Sequence, residues 1–427
     1  DVAVTLADFV GFSGEAMASG ERMPLAAIDA PASGRMAVAE AITNLLAAPI
    51  ELSRVKLSCN WMAACGEEGE DAALYDTVRT VAMELCPALG VSVPVGKDSL
   101  SMRTTWTTDS GELRKVLSPV SLVVTAFVSV PDVRGTLTPE LVGGREGASQ
   151  SVLIRVDLGA GQARLGGSVL AQTRGVFGGA VPDLDDSQDL VRLVDGVNAL
   201  RAAGLVTAYH DCADGGLWAT VVEMALAGGC GVDLDIANVG ELFAEELGVV
   251  LEVPRHRVDE ALAVLAAAGL DSQTSVVGSV TAQRRIRVSI AGVPTIEESL
   301  SELAQAWDET SWRIAGLRDN PECADEEHAQ VGSDGPAPLR VSTTFDPTHD
   351  IAAPYLSGVA RPRVAILREQ GVNAHVETAF AFHRAGFEAV DVHMTDLQTG
   401  RFDLSSAVGL VACGGFAYGD TLGAGEG

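Results

Sequence analysis

The sequence has few cationic residues. Lysine and arginine together number 29 against 58 aspartates and glutamates, so the formal net charge at pH 7 is −29. Nucleic-acid backbones and anionic membranes both require a basic surface, so this charge balance argues against them as partners. A small anionic substrate would need local positive charge from a helix end, a metal ion or an individual lysine.

The sequence also lacks paired cysteines. Its seven cysteines include no Cys-x-x-Cys motif, and their number is odd. This pattern is typical of reduced thiols in a cytoplasmic protein rather than of a disulfide scaffold.

Long apolar runs and a start signal are missing as well. No run of about 18 apolar residues occurs, so the sequence predicts no transmembrane helix. The chain begins at Asp1 without a methionine or a signal-like segment, and it stops at Gly427 inside a glycine-rich run. We therefore expect a piece cut from a longer polypeptide.

The length and composition of the chain indicate a globular protein of several domains. A chain of 427 residues predicts roughly three domains of about 150 residues each. The composition, with 47% hydrophobic and 20% charged residues, is that of a folded rather than a disordered chain.

The stretch from Ala208 to Ala227 carries the strongest local pattern. A short apolar run breaks into acids and glycines and then resumes with helical spacing, which predicts a loop over 211–216 at a helix N-terminus. Such a loop suits a phosphate, because glycines let backbone N–H groups approach its oxygens. Asp211 and Asp214 would fit beside an anion if Mg²⁺ lay between them. The alternative is an ordinary cap and turn.

A second candidate lies on an early helix. The pattern over 31–46 predicts a helix with Ser33 as its N-cap. Glu40 and Asn44 are spaced i, i+4 and project from one face. A carboxylate and an amide oxygen are suitable Mg²⁺ ligands, whereas the alternative is a solvated polar face.

A third candidate is a predicted turn after a strand. Residues 90–102 read as a strand that runs into the turn Gly96-Lys-Asp-Ser99, where Lys97 is one of few cations. The turn is not a P-loop, which needs two glycines around a four-residue spacer. A purely structural turn is the alternative.

From Ser151 the pattern predicts a second unit in which strands and helices are layered as in α+β proteins. Glu245 and Glu246 are expected to be exposed acids. Residues 307–352 show little periodicity and are expected to form a connector.

From Arg361 the order strand, helix, strand, strand predicts a doubly wound parallel sheet. Its last strand, 407–413, runs into a glycine-rich loop, which is a site candidate because ligands bind at the carboxyl ends of such strands. Cys413 ends that strand and is expected to pack rather than to act as a nucleophile.

Several ordered motifs together resemble the long, single-chain family of phosphoribosylformylglycinamidine synthases, the glutamine-dependent synthetases of purine biosynthesis. The motifs are Gly20-Glu-Arg-Met-Pro24, Ala39-Glu-Ala-Ile-Thr-Asn44, Lys56-Leu-Ser-Cys-Asn-Trp-Met-Ala63, Pro94-Val-Gly-Lys-Asp-Ser99, His210-Asp-Cys-Ala-Asp-Gly-Gly216, Leu317-Arg-Asp-Asn-Pro-Glu-Cys323, Arg368-Glu-Gln-Gly-Val-Asn373 and Cys413-Gly-Gly-Phe-Ala-Tyr-Gly-Asp420.

The resemblance implies a mixed α/β and α+β architecture. It consists of the second half of a repeat akin to aminoimidazole ribonucleotide synthetase, followed by the start of a class I glutaminase. The implied domains are a sheet domain over 1–148, a second α/β domain over 149–316, a connector over 317–360 and the glutaminase start over 361–427.

The resemblance also implies site residues. An auxiliary Mg²⁺-nucleotide would be held by the metal ligands Asp1, Glu40, Asn44 and Asp211. Its nucleotide would contact Ala213, Gly215 and Gly216, and Ala213 departs from the serine that relatives often carry there.

Two further loops are implied in the same way. The loop Gly96, Lys97, Asp98 and Ser99 would face substrate or phosphate. Gly414, Gly415 and Phe416 would form the oxyanion hole of glutamine hydrolysis, with the nucleophilic cysteine beyond Gly427.

The implied activity is ligation of nitrogen from glutamine onto formylglycinamide ribonucleotide, with ATP and Mg²⁺. The implied partners are those small molecules and the missing parts of the same chain, and we expect this piece alone to be inactive.

Two alternative functions remain. One is a small-molecule kinase or synthetase of the same fold superfamily, and the other is a non-catalytic scaffold stabilised by a nucleotide.

Overall fold

The chain divides into two units, residues 1–336 and 337–427. The computed structural model describes residues 2–145, 147, 150–333, 341–356, 358, 360–369 and 371–415. The first unit contains two sheets with their helices, and the second contains one parallel sheet.

The first sheet of the first unit mixes parallel and antiparallel strands. Its strands are β1 (Val2–Leu6), β2 (Gly14–Glu21), β3 (Lys56–Met62), β4 (Ser92–Ser99) and β7 (Ser121–Val130), with β5 (Arg103–Thr107) and β6 (Leu113–Leu117) as a separate hairpin. The order across the sheet is β1, β2, β7, β3, β4. Helices α1 (Met23–Ala26), α2 (Ala30–Leu45), α3 (Glu70–Arg79) and α4 (Cys86–Leu89) accompany it.

The second sheet follows in the chain. Its strands are β8 (Ser151–Asp157), β9 (Ala208–Cys212), β10 (Gly231–Ile236), β11 (Gly248–Pro254), β12 (Thr274–Thr281), β13 (Arg285–Ile290) and β14 (Val293–Ser299). They lie in the order β14, β13, β10, β12, β8, β11, β9, so β9 is at an edge. The helices are α5 (Val169–Thr173), α6 (Ser187–Ala202), α7 (Gly216–Gly228), α8 (Gly240–Phe243), α9 (Val258–Ala267), α10 (Leu300–Arg318) and α11 (Pro321–Val331).

One hydrophobic core continues between the two sheets. It joins side chains of α2, β3 and β7 to side chains of β8, α6 and β11. A second core lies on the other side of the second sheet and includes Leu217, Val221 and Met224 of α7. The two domains of this unit therefore bury apolar surface against each other.

Helix α2 begins slightly earlier than its pattern predicts. Asp29, not Ser33, is the N-cap, and its side chain accepts a hydrogen bond from a first-turn N–H. Ser33 is instead buried inside the first turn, where its hydroxyl donates to the carbonyl of Arg22 at 2.7 Å.

Two other expectations need correction. Gly96 to Ser99 is not a turn, because β4 continues to Ser99 by parallel pairing with β3. The predicted connector, 307–352, begins inside α10, which continues to Arg318, and goes on with the helix α11, which packs against α10. Asn320 caps α11, and a proline stands in its first turn. These cap signals outweigh the weak apolar periodicity.

The second unit confirms the predicted parallel sheet. It contains β15 (Arg363–Arg368), α12 (His375–Arg384), β16 (Glu388–His393), α13 (Met394–Gln398) and β17 (Gly409–Ala412). The order is β16, β15, β17, and both pairings are parallel.

Throughout the described residues, no helix combines the length and apolar character that a membrane span requires.

The contact between β2 and α2 requires a glycine. A Cβ at Gly20 would lie 2.3 Å from the carbonyl oxygen of Ala37 and 2.3 Å from the backbone nitrogen of Ala41. Both atoms belong to the backbone of a buried helix and cannot easily move away. Gly20 therefore sets how closely α2 lies on the sheet.

We predict that Gly20→Ala lowers the free energy of unfolding by about 1–3 kcal/mol, since overpacking forces the helix away from β2. Urea denaturation measures the change. Gly96→Ala is the matched control, because a Cβ there meets no atom within 4 Å. Equal stability of the Gly20→Ala and Gly96→Ala variants would contradict the prediction.

Candidate functional site

A cavity lies beside the contact between α2 and β9. The buried hydroxyl of Tyr209 on β9 donates a 2.6 Å hydrogen bond to the carbonyl of Thr43 on α2. The neighbouring cavity has a volume of about 360 Å³, and Asn44 and Asp211 both contribute to its lining. The structure thus brings together two predicted magnesium ligands that are distant in the sequence.

Glu40 lies one helical turn before Asn44 and is 8% exposed. One carboxylate oxygen accepts the N–H of Glu21 at 2.6 Å, and the other lies 3.6 Å from Arg22 Nη1. Burial raises the pKa of Glu40 to about 7, although Arg22 and the Glu21 N–H oppose the shift; the negative charge of Asp211 adds to it. Glu40 and Asp211 therefore lie close enough to repel each other.

Asp211 contains the atom that most needs a partner. The residue is 5% exposed, and among the described residues its Oδ2 is buried without a hydrogen-bond partner. Its Oδ1 lies 3.4 Å from Nδ1 of His210. A buried carboxylate oxygen without a donor is unfavourable unless a cation or water reaches it.

His210 supplies part of the missing positive charge. Its Nε2 lies 3.0 Å from a carboxylate oxygen of Glu223. Burial lowers the pKa of His210, but hydrogen bonds with Asp211 and Glu223 outweigh burial and raise it to about 9. The imidazole is therefore charged at neutral pH and balances these two acids in part.

The donor set fits Mg²⁺ better than a soft metal. Mg²⁺ prefers carboxylate and amide oxygens, which Glu40, Asp211 and Asn44 carry. The Asn44 amide nitrogen donates to the carbonyl of Ser19 at 3.2 Å, which orients the amide. Within the described residues no group of three or more His, Cys, Asp or Glu side chains is placed to hold a metal. The set therefore depends on the Asn44 amide and on Asp1, which lies outside the described residues.

The loop before α7 is shorter than predicted and binds an internal anion, because β9 continues through Asp211 to Cys212 and only 213–215 lie between it and α7. Gly215 and Gly216 have φ values of +82° and +65°, and α7 starts there. The Gly215 N–H donates to Oε1 of Glu245 at 3.0 Å, and the Gly216 N–H donates to the carbonyl of Ala213 at 3.0 Å. A carboxylate of the protein, rather than a phosphate, is thus the acceptor at Gly215.

Glu245 and Glu246 are buried, which corrects the expectation that they are exposed. They are 2% and 1% exposed, respectively. Oε1 of Glu245 also accepts the Val169 N–H at 2.8 Å, and Glu246 accepts two hydrogen bonds from the Arg164 guanidinium at 2.9 and 2.8 Å. The adjacent apolar residues Phe243 and Leu247 were the available signal that this short segment packs inside.

Arg22 is a functional candidate that the residue patterns did not single out. Its guanidinium lies 3.0 Å from Glu245, 3.2 Å from Asp214 and 3.6 Å from Glu40, and its side chain is only 3% exposed. The only sign of its importance in the sequence was its place as the third residue of the motif Gly20-Glu-Arg-Met-Pro24. Arg22 links Glu40 to the glycine loop.

The strand end Gly96–Ser99 belongs to a different region. It is exposed and lies on β4, at one edge of the first sheet. The opposite edge is β1, whose Val2 and Val4 line the cavity. Four strand spacings, about 19 Å in all, separate β4 from β1. The structure therefore does not bring Lys97 to the cavity that Asp211 lines.

The glycine loop of the second unit is described only in part. Gly415 pairs with Val372, and the Asn373 N–H donates to the carbonyl of Gly414 at 3.2 Å. A Cβ at Gly415 would lie 2.2 Å from the carbonyl oxygen of Gly371, so a glycine is required there. Phe416 lies outside the described residues.

Three domain families match the sequence. Residues 1–129 match the FGAR-AT PurM_N-like domain, residues 152–291 match the C-terminal domain of AIR synthase related proteins, and residues 361–427 match the CobB/CobQ-like glutamine amidotransferase domain. Together they cover both units of the chain.

Solved structures share the fold of most of this chain. PurLQS from Thermotoga maritima is 13% identical with a TM-score of 0.53, over 70% of this chain and 46% of that chain. PurL from the same organism complexed with FGAR is 15% identical with a TM-score of 0.53, over 70% and 47%. PurL complexed with ATP is 15% identical with a TM-score of 0.51, over 70% and 45%. This chain thus spans slightly less than half of each solved chain.

We predict that Glu245→Gln lowers the free energy of unfolding by about 2 kcal/mol, because Arg22 loses its closest buried anion and two backbone N–H groups lose a charged acceptor. Chemical denaturation measures the change. Glu298→Gln, at an exposed position of β14, is the matched control. Equal unfolding midpoints for the two variants would refute this role of Glu245.

Proposed function

Because this chain belongs to the phosphoribosylformylglycinamidine synthase family, we propose that it takes part in the glutamine- and ATP-dependent conversion of formylglycinamide ribonucleotide to the amidine. The complexes of Thermotoga maritima PurL with FGAR and with ATP support this substrate pair. The glutamine amidotransferase match over residues 361–427 supports glutamine as the nitrogen source.

The reaction that we propose has two parts. Hydrolysis of glutamine releases ammonia and glutamate. ATP phosphorylates the formyl amide oxygen of the ribonucleotide, and ammonia then displaces that phosphate, giving the amidine, ADP and phosphate. Catalysis of phosphoryl transfer consists largely of positioning and charge neutralisation, which suits a site in which carboxylates hold Mg²⁺.

For this chain we propose a site for an auxiliary Mg²⁺-nucleotide at the cavity beside α2 and β9. The single observation that supports it most is the buried Oδ2 of Asp211, which has no hydrogen-bond partner among the residues that the structure describes, in a cavity that Asn44 also lines. When bound, the ion would neutralise polyphosphate charge. Glu40, Asn44 and Asp211 would hold it together with Asp1, while His210 and Arg22 limit repulsion among the acids.

A scaffold role for this nucleotide is a second candidate. The ligands come from both domains of the first unit, since Glu40 and Asn44 lie on α2 and Asp211 lies on β9. A ligand that binds both would stabilise the folded state by an amount that rises with the logarithm of its concentration over its dissociation constant. A kinase or synthetase of the same fold superfamily is less favoured, because it does not explain the amidotransferase match.

We predict that Asp211→Asn removes retention of ADP with Mg²⁺ and lowers the melting temperature measured with both present. The substitution keeps the shape of the side chain and removes the charge that a divalent ion needs. Nucleotide retained after desalting and a thermal scan with and without MgADP measure the two effects.

Asp109→Asn is the control for that experiment, since Asp109 is exposed in the turn between β5 and β6. We expect it to match the wild type in both measurements. If Asp211→Asn retains ADP and Mg²⁺ as the wild type does, the proposed site is wrong.

We also predict that the 427-residue chain alone releases no ammonia from glutamine. Its last cysteine, Cys413, precedes the Gly414–Phe416 loop and directly follows the last residue of β17, where it is half-buried. A coupled ammonia assay, with a commercial glutaminase as the positive control, measures this activity. Ammonia release above the enzyme-free blank would contradict the prediction, and its loss in Cys413→Ser would assign the activity to that thiol.

A further inference from the structure

The carboxyl end of α2 is held by donors from the second domain. The last carbonyl groups of a helix lack their regular i+4 donors and are satisfied by shorter backbone bonds or by other groups; the carbonyl of Thr43 accepts the Leu46 N–H at 3.2 Å. Tyr209 of β9 donates to the carbonyl of Thr43 at 2.6 Å. Arg201 of α6 donates to the carbonyls of Leu46 and Ala47 at 2.5 and 3.2 Å.

The bond from Tyr209 lies closest to the proposed ligands. Its acceptor, Thr43, immediately precedes Asn44, and Tyr209 itself lies two residues before Asp211 on the same strand. Tyr209 is 3% exposed and lines the same cavity as Asn44 and Asp211. One hydrogen bond therefore connects the two segments that carry these side chains.

The hydroxyl is well suited to act as a permanent donor. A tyrosine hydroxyl ordinarily keeps its proton at physiological pH, and here it donates to the carbonyl of Thr43 at 2.6 Å. Its ring packs into the core between the two sheets, which fixes where the hydroxyl points.

We propose that Tyr209 is a positioning residue for the Mg²⁺-nucleotide site, because its hydrogen bond to Thr43 sets the separation between Asn44 on α2 and Asp211 on β9. This inference rests on the proposed function of the cavity. Mg²⁺ demands near-ideal octahedral geometry with short bonds of about 2.0–2.1 Å. A small displacement of α2 along β9 therefore weakens the site, even when every ligand is present.

The test is a calorimetric titration of the full chain with ADP at several MgCl₂ concentrations. For Tyr209→Phe we expect MgADP affinity to fall about five- to tenfold, the size expected for one lost hydrogen bond. We also expect half-maximal binding to require more Mg²⁺. Tyr75→Phe is the matched control, since Tyr75 lies on α3 with 67% exposure, and it should bind as the wild type does.

A double-mutant cycle separates positioning from general stability. If Tyr209 acts by placing Asn44, then Tyr209→Phe should cause little further loss of MgADP affinity in an Asn44→Ala background. Circular dichroism confirms that each variant is folded, and phenylalanine keeps the buried ring in place. Fully additive losses would assign Tyr209 a structural role only and overturn the proposal.

The remaining outcomes distinguish this inference from the one on which it rests. If Asp211→Asn and Asn44→Ala weaken MgADP binding while Tyr209→Phe does not, only the role of Tyr209 is wrong. If none of the three weakens binding, the site itself is wrong, and the role of Tyr209 is wrong with it.

Discussion

The first unit depends on a surplus of buried negative charge at the junction of its two domains. The Arg22 guanidinium faces two buried acids, Glu40 and Glu245, and also the exposed Asp214, so one cation serves two buried carboxylates. Asp211 lies near enough to raise the pKa of Glu40 further. Isolated buried charges are strongly unfavourable, and a divalent cation would relieve this arrangement with few other changes.

The fold places these charges by close backbone packing rather than by flexible surface loops. Gly20 lets α2 lie directly on β2, and the core that covers α2 continues into the second domain. The ends of α2 are then fixed by a side-chain cap at Asp29 and by donors from α6 and β9. A rigid first unit of this kind suits a site whose ligands come from separate segments.

Residue spacing predicted much of the fold and part of the candidate site. The i, i+4 spacing placed Glu40 and Asn44 on one helical face, and the order of strands and helices predicted the parallel sheet of the second unit. Glu245 was missed because two adjacent acids ordinarily mark a surface, and only long-range contacts with Arg22 and Val169 bury it. Gly96 to Ser99 was misjudged because pairing with β3 extends a strand through residues that locally favour a turn.

The most direct measurement is the position of a metal in crystals of this chain grown with ADP and MnCl₂, where Mn²⁺ replaces Mg²⁺ and scatters anomalously. We expect an anomalous peak about 2 Å from Asp211 Oδ2, within coordination distance of Glu40 and Asn44. Bound ADP without such a peak, or a peak at any other group of side chains, would contradict the account.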